Sequence, residues 1–236
     1  MKTQLTYPFI AVLLCGGLLM FNMNNQAWAE TTTDHSKLKE LKKNFKSGPE
    51  VTRACLECHT EAAKQIHRTK HWTWEFLNPQ SKQKLGKRRV LNNFCVAAPS
   101  NYAFCTTCHV GYGWKDESFD FTSEVNVDCL VCHDTTGMYR KTPGKAGHPA
   151  YKPIESPKGS GNFIKPVNLQ KVAQNVGKTS RDTCGACHFY GGGGDGVKHG
   201  DMDSSLAVPD DALDVHMDVV GNEFTCATCH KTSGHD

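Results

Sequence analysis

The sequence has no excess of one charge: 27 Lys and Arg stand against 24 Asp and Glu in 236 residues, and the segment up to Ala29 holds only Lys2 of these. Without a strongly basic balance there is no electrostatic case for nucleic acid as a partner. The chain also lacks an apolar run of the ~20 residues that a spanning helix needs. Its longest such stretch, YPFIAVLLCGGLLMF (Tyr7 to Phe21), follows Lys2 and leads to Ala27, Trp28 and Ala29, an A-x-A site before Glu30. Residues 1–29 therefore read as a secretory signal peptide, which implies export to the periplasm and no stable membrane insertion after cleavage. Lipidation at Cys15 is not expected, because Leu14 precedes it where a lipoprotein signal has a small residue. A βαβ pattern is missing too, which excludes a thioredoxin-like fold, and so are long periodic segments.

What the chain has is cysteine, 12 in all. In an exported protein that number first suggests a disulfide scaffold, but the spacing points elsewhere. Ten of them pair as CxxC with histidine next: CLECH (Cys55, Cys58, His59), CTTCH (Cys105, Cys108, His109), CLVCH (Cys129, Cys132, His133), CGACH (Cys184, Cys187, His188) and CATCH (Cys226, Cys229, His230). C-x-x-C-H is the attachment signature of c-type haem. Two thiols three positions apart reach the two vinyl groups of one porphyrin as thioethers, and the following histidine meets the iron. Five covalently bound haem c groups are expected in a single domain, residues 30–236. Zinc would need a fourth ligand at each of five separate sites.

The first cysteines fall at 55, 105, 129, 184 and 226, too irregular for a repeat array. The expected fold is mainly α with extensive loops and little β, short helices wrapped on a stacked haem array that itself supplies much of the apolar filling. Leu38, Leu41 and Phe45 predict a helix over Asp34 to Lys46, and a second is expected over Thr60 to Trp74. Asn168 to Val176 resumes a helix. Phe119 to Cys129 suggests a short hairpin arm, and the Pro- and Gly-rich stretch from Lys141 to Pro166 a long surface loop. The basic runs Lys37 to Lys46 and Lys87 to Arg89 read as solvated faces, with docking of an acidic redox partner as the alternative.

The ligand opposite each motif histidine decides between electron transfer and chemistry. Seven histidines lie outside the motifs: His35, His67, His71, His148, His199, His216 and His235. His67 and His71, at i and i+4 on one expected helix, are the leading candidates, followed by His199 and His216; His148 and His235 are weaker. Iron held by two histidines is saturated and suited to passing electrons. The stretch GGGGDGVKHGD, residues 191 to 201, adds Asp195, Lys198 and His199 on a backbone able to approach a porphyrin closely. Adjacent residues do not readily serve one iron, so Lys198 and His199 are expected to face two. Cys95 is the remaining cysteine of the exported chain, either buried and inert or kept for chemistry.

With Cys95 before CTTCH, DCLVCHDTTGMYRK (Asp128 to Lys141) and DGVKHGD after CGACH, the chain resembles the octahaem tetrathionate reductase family of periplasmic multihaem cytochromes c, in its N-terminal five-haem portion. Such proteins are longer and carry eight motifs, so the chain reads either as a piece of one or as a shorter relative. The resemblance implies an active haem on Cys105, Cys108 and His109, with Lys198 as its distal ligand and Asp195 and Cys95 lining its pocket. It implies a small anionic substrate, with electrons from a cytochrome or quinol-linked donor. Nitrite or hydroxylamine reduction, and electron transfer without catalysis, are the alternatives.

Overall fold

The computed structural model describes residues 33–91, 97–191, 193–232 and 234–235. In chain order they form α1 (Gly48–Leu56), α2 (Ala62–His67), α3 (Lys70–Thr73), β1 (Phe76–Leu77), β2 (Lys84–Leu85), α4 (Tyr102–Cys105), α5 (Leu130–His133), β3 (Ile154–Glu155), β4 (Phe163–Ile164), α6 (Leu169–Gln174), α7 (Arg181–His188) and α8 (Cys226–Cys229). The fold is mainly helical with long loops and two small antiparallel hairpins, β1–β2 and β3–β4, as expected. Each CxxCH lies on or against a short helix: α1 carries Cys55, α4 ends at Cys105, Cys129 caps α5, and α7 and α8 hold the cysteines of the last two motifs.

Local chemistry fixes these helices. Pro49 opens the first turn of α1, where its missing N–H costs nothing. Asn168 caps α6 by accepting from the Lys171 amide at 2.9 Å. Ser180 and Thr183 cap α7 reciprocally. The expected helix over Asp34 to Lys46 is instead two 3-10 turns, His35–Lys37 and Lys39–Leu41. Lys39 and Lys43, and Lys42 and Lys46, would stack like charges at i, i+4 on such a helix. The helix expected over Thr60 to Trp74 is broken into α2 and α3, because Thr69 turns extended and its hydroxyl donates to the Ile66 carbonyl at 2.8 Å.

Phe119 to Cys129 forms no hairpin of its own. Its end pairs with the strip after the second motif: Tyr112 N donates to Asn126 O at 2.8 Å and Asp128 N to Val110 O at 2.9 Å. The stretch from Lys141 to Pro166 is a surface loop only in its second half, which carries β3 and β4. In its first half Thr142, Ala146, Gly147 and Ala150 are buried, and Ala146 exchanges backbone hydrogen bonds with Ala103 and Gly113.

Side chains fill a core around α1, α3 and α5, with Val51, Trp72, Tyr112, Leu130 and Val172 at its centre. Gly48 is part of it, since a Cβ there would collide with the Tyr112 ring. Gly48→Ala is expected to cost about 1–3 kcal/mol, the usual penalty of overpacking, read as a lower denaturation midpoint. Beyond Ala173 only Gly185 and Pro209 are buried among the described residues, while Tyr190, Val208, Val215 and Val220 are exposed. The C-terminal third has no side-chain core, which is where a porphyrin filling would count most.

Candidate haem and active site

The ten motif cysteines are all unbridged, and they converge. Hydrogen bonds link the Cys55 and Cys129 thiols, Cys108 and Cys187, and Cys184 and Cys226; each thiol stands where a thioether sulfur would be in the haem-loaded chain. The first and third motifs are thus neighbours, as are the second and fourth and the fourth and fifth. Cys132 is near enough to Cys184 and Cys187 for their charges to be felt, which joins the third motif to the fourth.

Three motif histidines face a second imidazole. The ring centroids of His59 and His35 are 6.3 Å apart, those of His188 and His71 6.2 Å, and those of His133 and His235 6.1 Å. A metal between two imidazoles sets their centroids roughly 6 Å apart, since each metal–nitrogen bond is about 2 Å and the ring centre lies about 1 Å further. His133 and His188 engage their Nδ1 atoms with the carbonyls of Gly177 and Gly200, each at 2.7 Å. That arrangement leaves Nε2 for a metal and orients the ring. These residues fit a haem iron held between two histidines.

Of the leading candidates, His71 is therefore paired with a motif histidine. His67 stacks on Trp72 at 4.4 Å with its Nε2 buried and unpartnered. His216 is exposed against Phe224 and Asp214, and His199 is exposed one residue before Gly200. His35 and His235 take the places opposite His59 and His133. Nothing local in the sequence marks either one. His148 stacks on Tyr112 at 5.3 Å.

The second motif differs. His109 is fully buried in a box of aromatic rings, with Trp72, Trp74 and Trp114 at 5.0, 5.4 and 4.8 Å and Phe119 and Phe121 behind them. One ring nitrogen, Nε2, meets the Trp72 carbonyl at 2.8 Å; the other, Nδ1, is buried without a partner. Burial, aided by Lys141 and Arg88, drives the imidazole's pKa down to about 3, so the ring is held in the neutral form a metal requires. Its unpaired Nδ1, a state shared by His67 Nε2 among the described residues, is open to a ligand. Among the described residues no second imidazole pairs with His109.

Lys141 donates to the His109 backbone carbonyl, and further cations act on the neighbouring Cys108. The pKa of the Cys108 thiol is drawn down to about 6, by its hydrogen bond with Cys187 first, against the opposing effect of burial, and further by Lys87, Lys141 and Lys198. Lys198 is thus within electrostatic reach of the second motif. Its backbone N–H donates to Asp201 at 2.7 Å. Asp195 lies in the same strap but turns to Ser204, accepting from its amide and hydroxyl at 2.9 Å each. The strap is tied to the fourth motif by Met202 N donating to His188 O at 2.7 Å. Cys95 and the signal segment 1–29 lie outside the described residues.

Comparison with known proteins agrees with this geometry. A family model described as cytochrome c554 and c-prime matches residues 54–134, the first three motifs. An uncharacterized protein of Archaeoglobus fulgidus is 23% identical over 241 residues, covering 86% of this chain and 80% of that one. The crystal structure of an octaheme cytochrome c from Shewanella oneidensis superposes with a TM-score of 0.72 at 48% identity, over 86% of this chain. This chain spans 42% of the length of that one. The repeated CxxCH helices, the converging cysteines, the histidine pairs and these likenesses together make the chain a multihaem c-type cytochrome.

Proposed function

We propose that the chain is a periplasmic reductase of small sulfur or nitrogen oxyanions, tetrathionate foremost, with its active centre at the second of five haem sites. The observation that supports this reading most is the contrast among motif histidines: among the described residues three face a second imidazole, and of the two that do not, His109 and His230, only His109 is buried in an aromatic box with a lysine, Lys141, bonded to its carbonyl. Cys105, Cys108 and His109 would hold the active haem, and a bound haem supplies one-electron redox chemistry. Lys198 is its candidate distal ligand. Protonated and displaced, it would neutralise an incoming anion. Reduction of tetrathionate breaks the central S–S bond and takes up two electrons, giving two thiosulfates. Cys95, as a thiolate, is the proposed nucleophile: its attack on a central sulfur would release one thiosulfate and leave the other bonded to Cys95 through an S–S bond. The two electrons would then cleave that bond to free the second thiosulfate and restore the thiolate. Asp195 is the group that tunes protonation nearby.

His35, His71 and His235 close the other faces of their sites, a role in electron supply rather than chemistry. The cysteine contacts give the order of neighbours, first to third to fourth and thence to second and fifth. Electrons from a small cytochrome or quinol-linked donor would reach the second site along that order.

Two measurements test this. Reduced, haem-loaded protein mixed with tetrathionate is expected to reoxidise rapidly, and Cys95→Ala to slow that reaction without loss of haem. Rates on tetrathionate indifferent to Cys95→Ala, beside rapid turnover of hydroxylamine or nitrite, would favour the nitrogen-oxyanion reading. Separately, His71→Met is expected to remove one bis-imidazole signal from the electron paramagnetic resonance spectrum while the mass still reports every haem. An unchanged spectrum would refute the pairing with His188.

A further inference from the structure

The basic run Lys87 to Arg89 divides into two kinds of cation. Arg89, with Lys84 from β2, is neutralised by Glu75 at 3.1 and 3.2 Å. Lys87 and Arg88 have no carboxylate partner among the described residues, yet both are half-buried. They rest on aromatic faces: Lys87 Nζ lies 5.0 Å from the Trp74 centroid, and Arg88 Cζ 4.6 Å from Phe121 and 5.5 Å from Trp114. Those rings are walls of the box around His109. An aromatic face fixes a cation in place but leaves its charge uncompensated, whereas a carboxylate cancels it. Partly desolvating two positive charges without cancelling them is costly, and the cost is recovered when an anion arrives.

We infer that Lys87 and Arg88 form the anion-recognition site of the second motif, taking a small doubly charged sulfur oxyanion at the mouth of the aromatic box. An anion at the edge of the box would meet the charge of Lys87, held on Trp74, together with that of Arg88, held on Phe121 and Trp114. Arg88 offers a planar fork suited to an oxyanion, and Lys87 a point charge. The inference deepens the reductase reading by naming the residues that select its substrate.

The test uses the haem-loaded full chain and thiosulfate as probe. An amine-acylating reagent is applied with and without thiosulfate, and labelling is read at each lysine by mass spectrometry. Thiosulfate is expected to slow labelling of Lys87 several-fold and of Lys84 not at all, and Arg88→Gln to abolish that protection. In turnover, Arg88→Gln is expected to raise KM for tetrathionate about tenfold, as loss of one charged hydrogen-bonding partner does, with a smaller change in kcat. Arg89→Gln, which loses only its pairing with Glu75, is expected to leave KM unchanged. Equal protection of Lys84 and Lys87, or an unaltered KM in Arg88→Gln, would overturn the assignment. So would a changed visible spectrum or haem content in Arg88→Gln, which would make a haem propionate its partner. If the wild-type chain fails to reduce tetrathionate while thiosulfate still protects Lys87, the reductase reading falls and the anion site stands.

Discussion

Asp128→Ala is expected to destabilise the haem-loaded protein by about 3–5 kcal/mol, the usual cost of breaking a buried ion pair from one side. The Asp128 and Lys141 side chains are 0% and 4% exposed, and their charged atoms lie 3.2 Å apart. Both carboxylate oxygens are fully used. Oδ1 accepts from the Tyr112 hydroxyl at 2.6 Å and the Val131 amide at 3.1 Å, and Oδ2 from the Tyr139 hydroxyl at 2.8 Å. Lys141 also donates to the carbonyls of His109 and Gly111. Burial pushes both phenols well above their ordinary range, with Asp128 adding to it, so they remain neutral donors. Alanine would strand an ammonium and two hydroxyls away from water. The check is the denaturant midpoint at constant m. Asp128→Asn, which keeps an acceptor but not the charge, is expected to fall between the two, and a midpoint within error of wild type for both would remove the network from any part in stability.

Lys198→Met is expected to lower tetrathionate turnover by about 10²–10³-fold, the range seen when one preorganised charge-stabilising donor is removed. Methionine is of similar length and carries no charge. Haem content and the bis-imidazole signals should stay as they were, while the signal assigned to the second site changes. Lys198→Arg discriminates further: it keeps the positive charge but cannot give up a proton to bind iron. Activity retained in the arginine variant would assign Lys198 to the anion, and activity lost in both would assign it to the iron. Wild-type rates in Lys198→Met would refute the proposed centre.

The attachment sites were legible because their spacing is dictated by covalent chemistry within five residues. Distal partners depend on tertiary proximity instead. His35 meets His59, and His235 meets His133 across nearly half the chain. The i, i+4 spacing of His67 and His71 predicts one helical face, but Thr69 breaks that helix and the two rings meet different neighbours, Trp72 and His188. The charged run Lys87 to Arg89 reads as a solvated face because its aromatic supports, Trp74, Trp114 and Phe121, are scattered in sequence. The tyrosines of the Asp128 network were equally silent. Asp128, Tyr139 and Lys141 all lie in the quoted stretch after the second motif, yet nothing in their spacing shows that they close on one another.

The three thiol contacts, Cys55 with Cys129, Cys108 with Cys187 and Cys184 with Cys226, each join different motifs. A chain that compacted with bare thiols would therefore press together sulfurs that must never bond to each other. Where thiols are oxidised, each contact is a ready-made mismatched disulfide. Haem attachment would close that route, since a sulfur held as a thioether has no thiol left to crosslink.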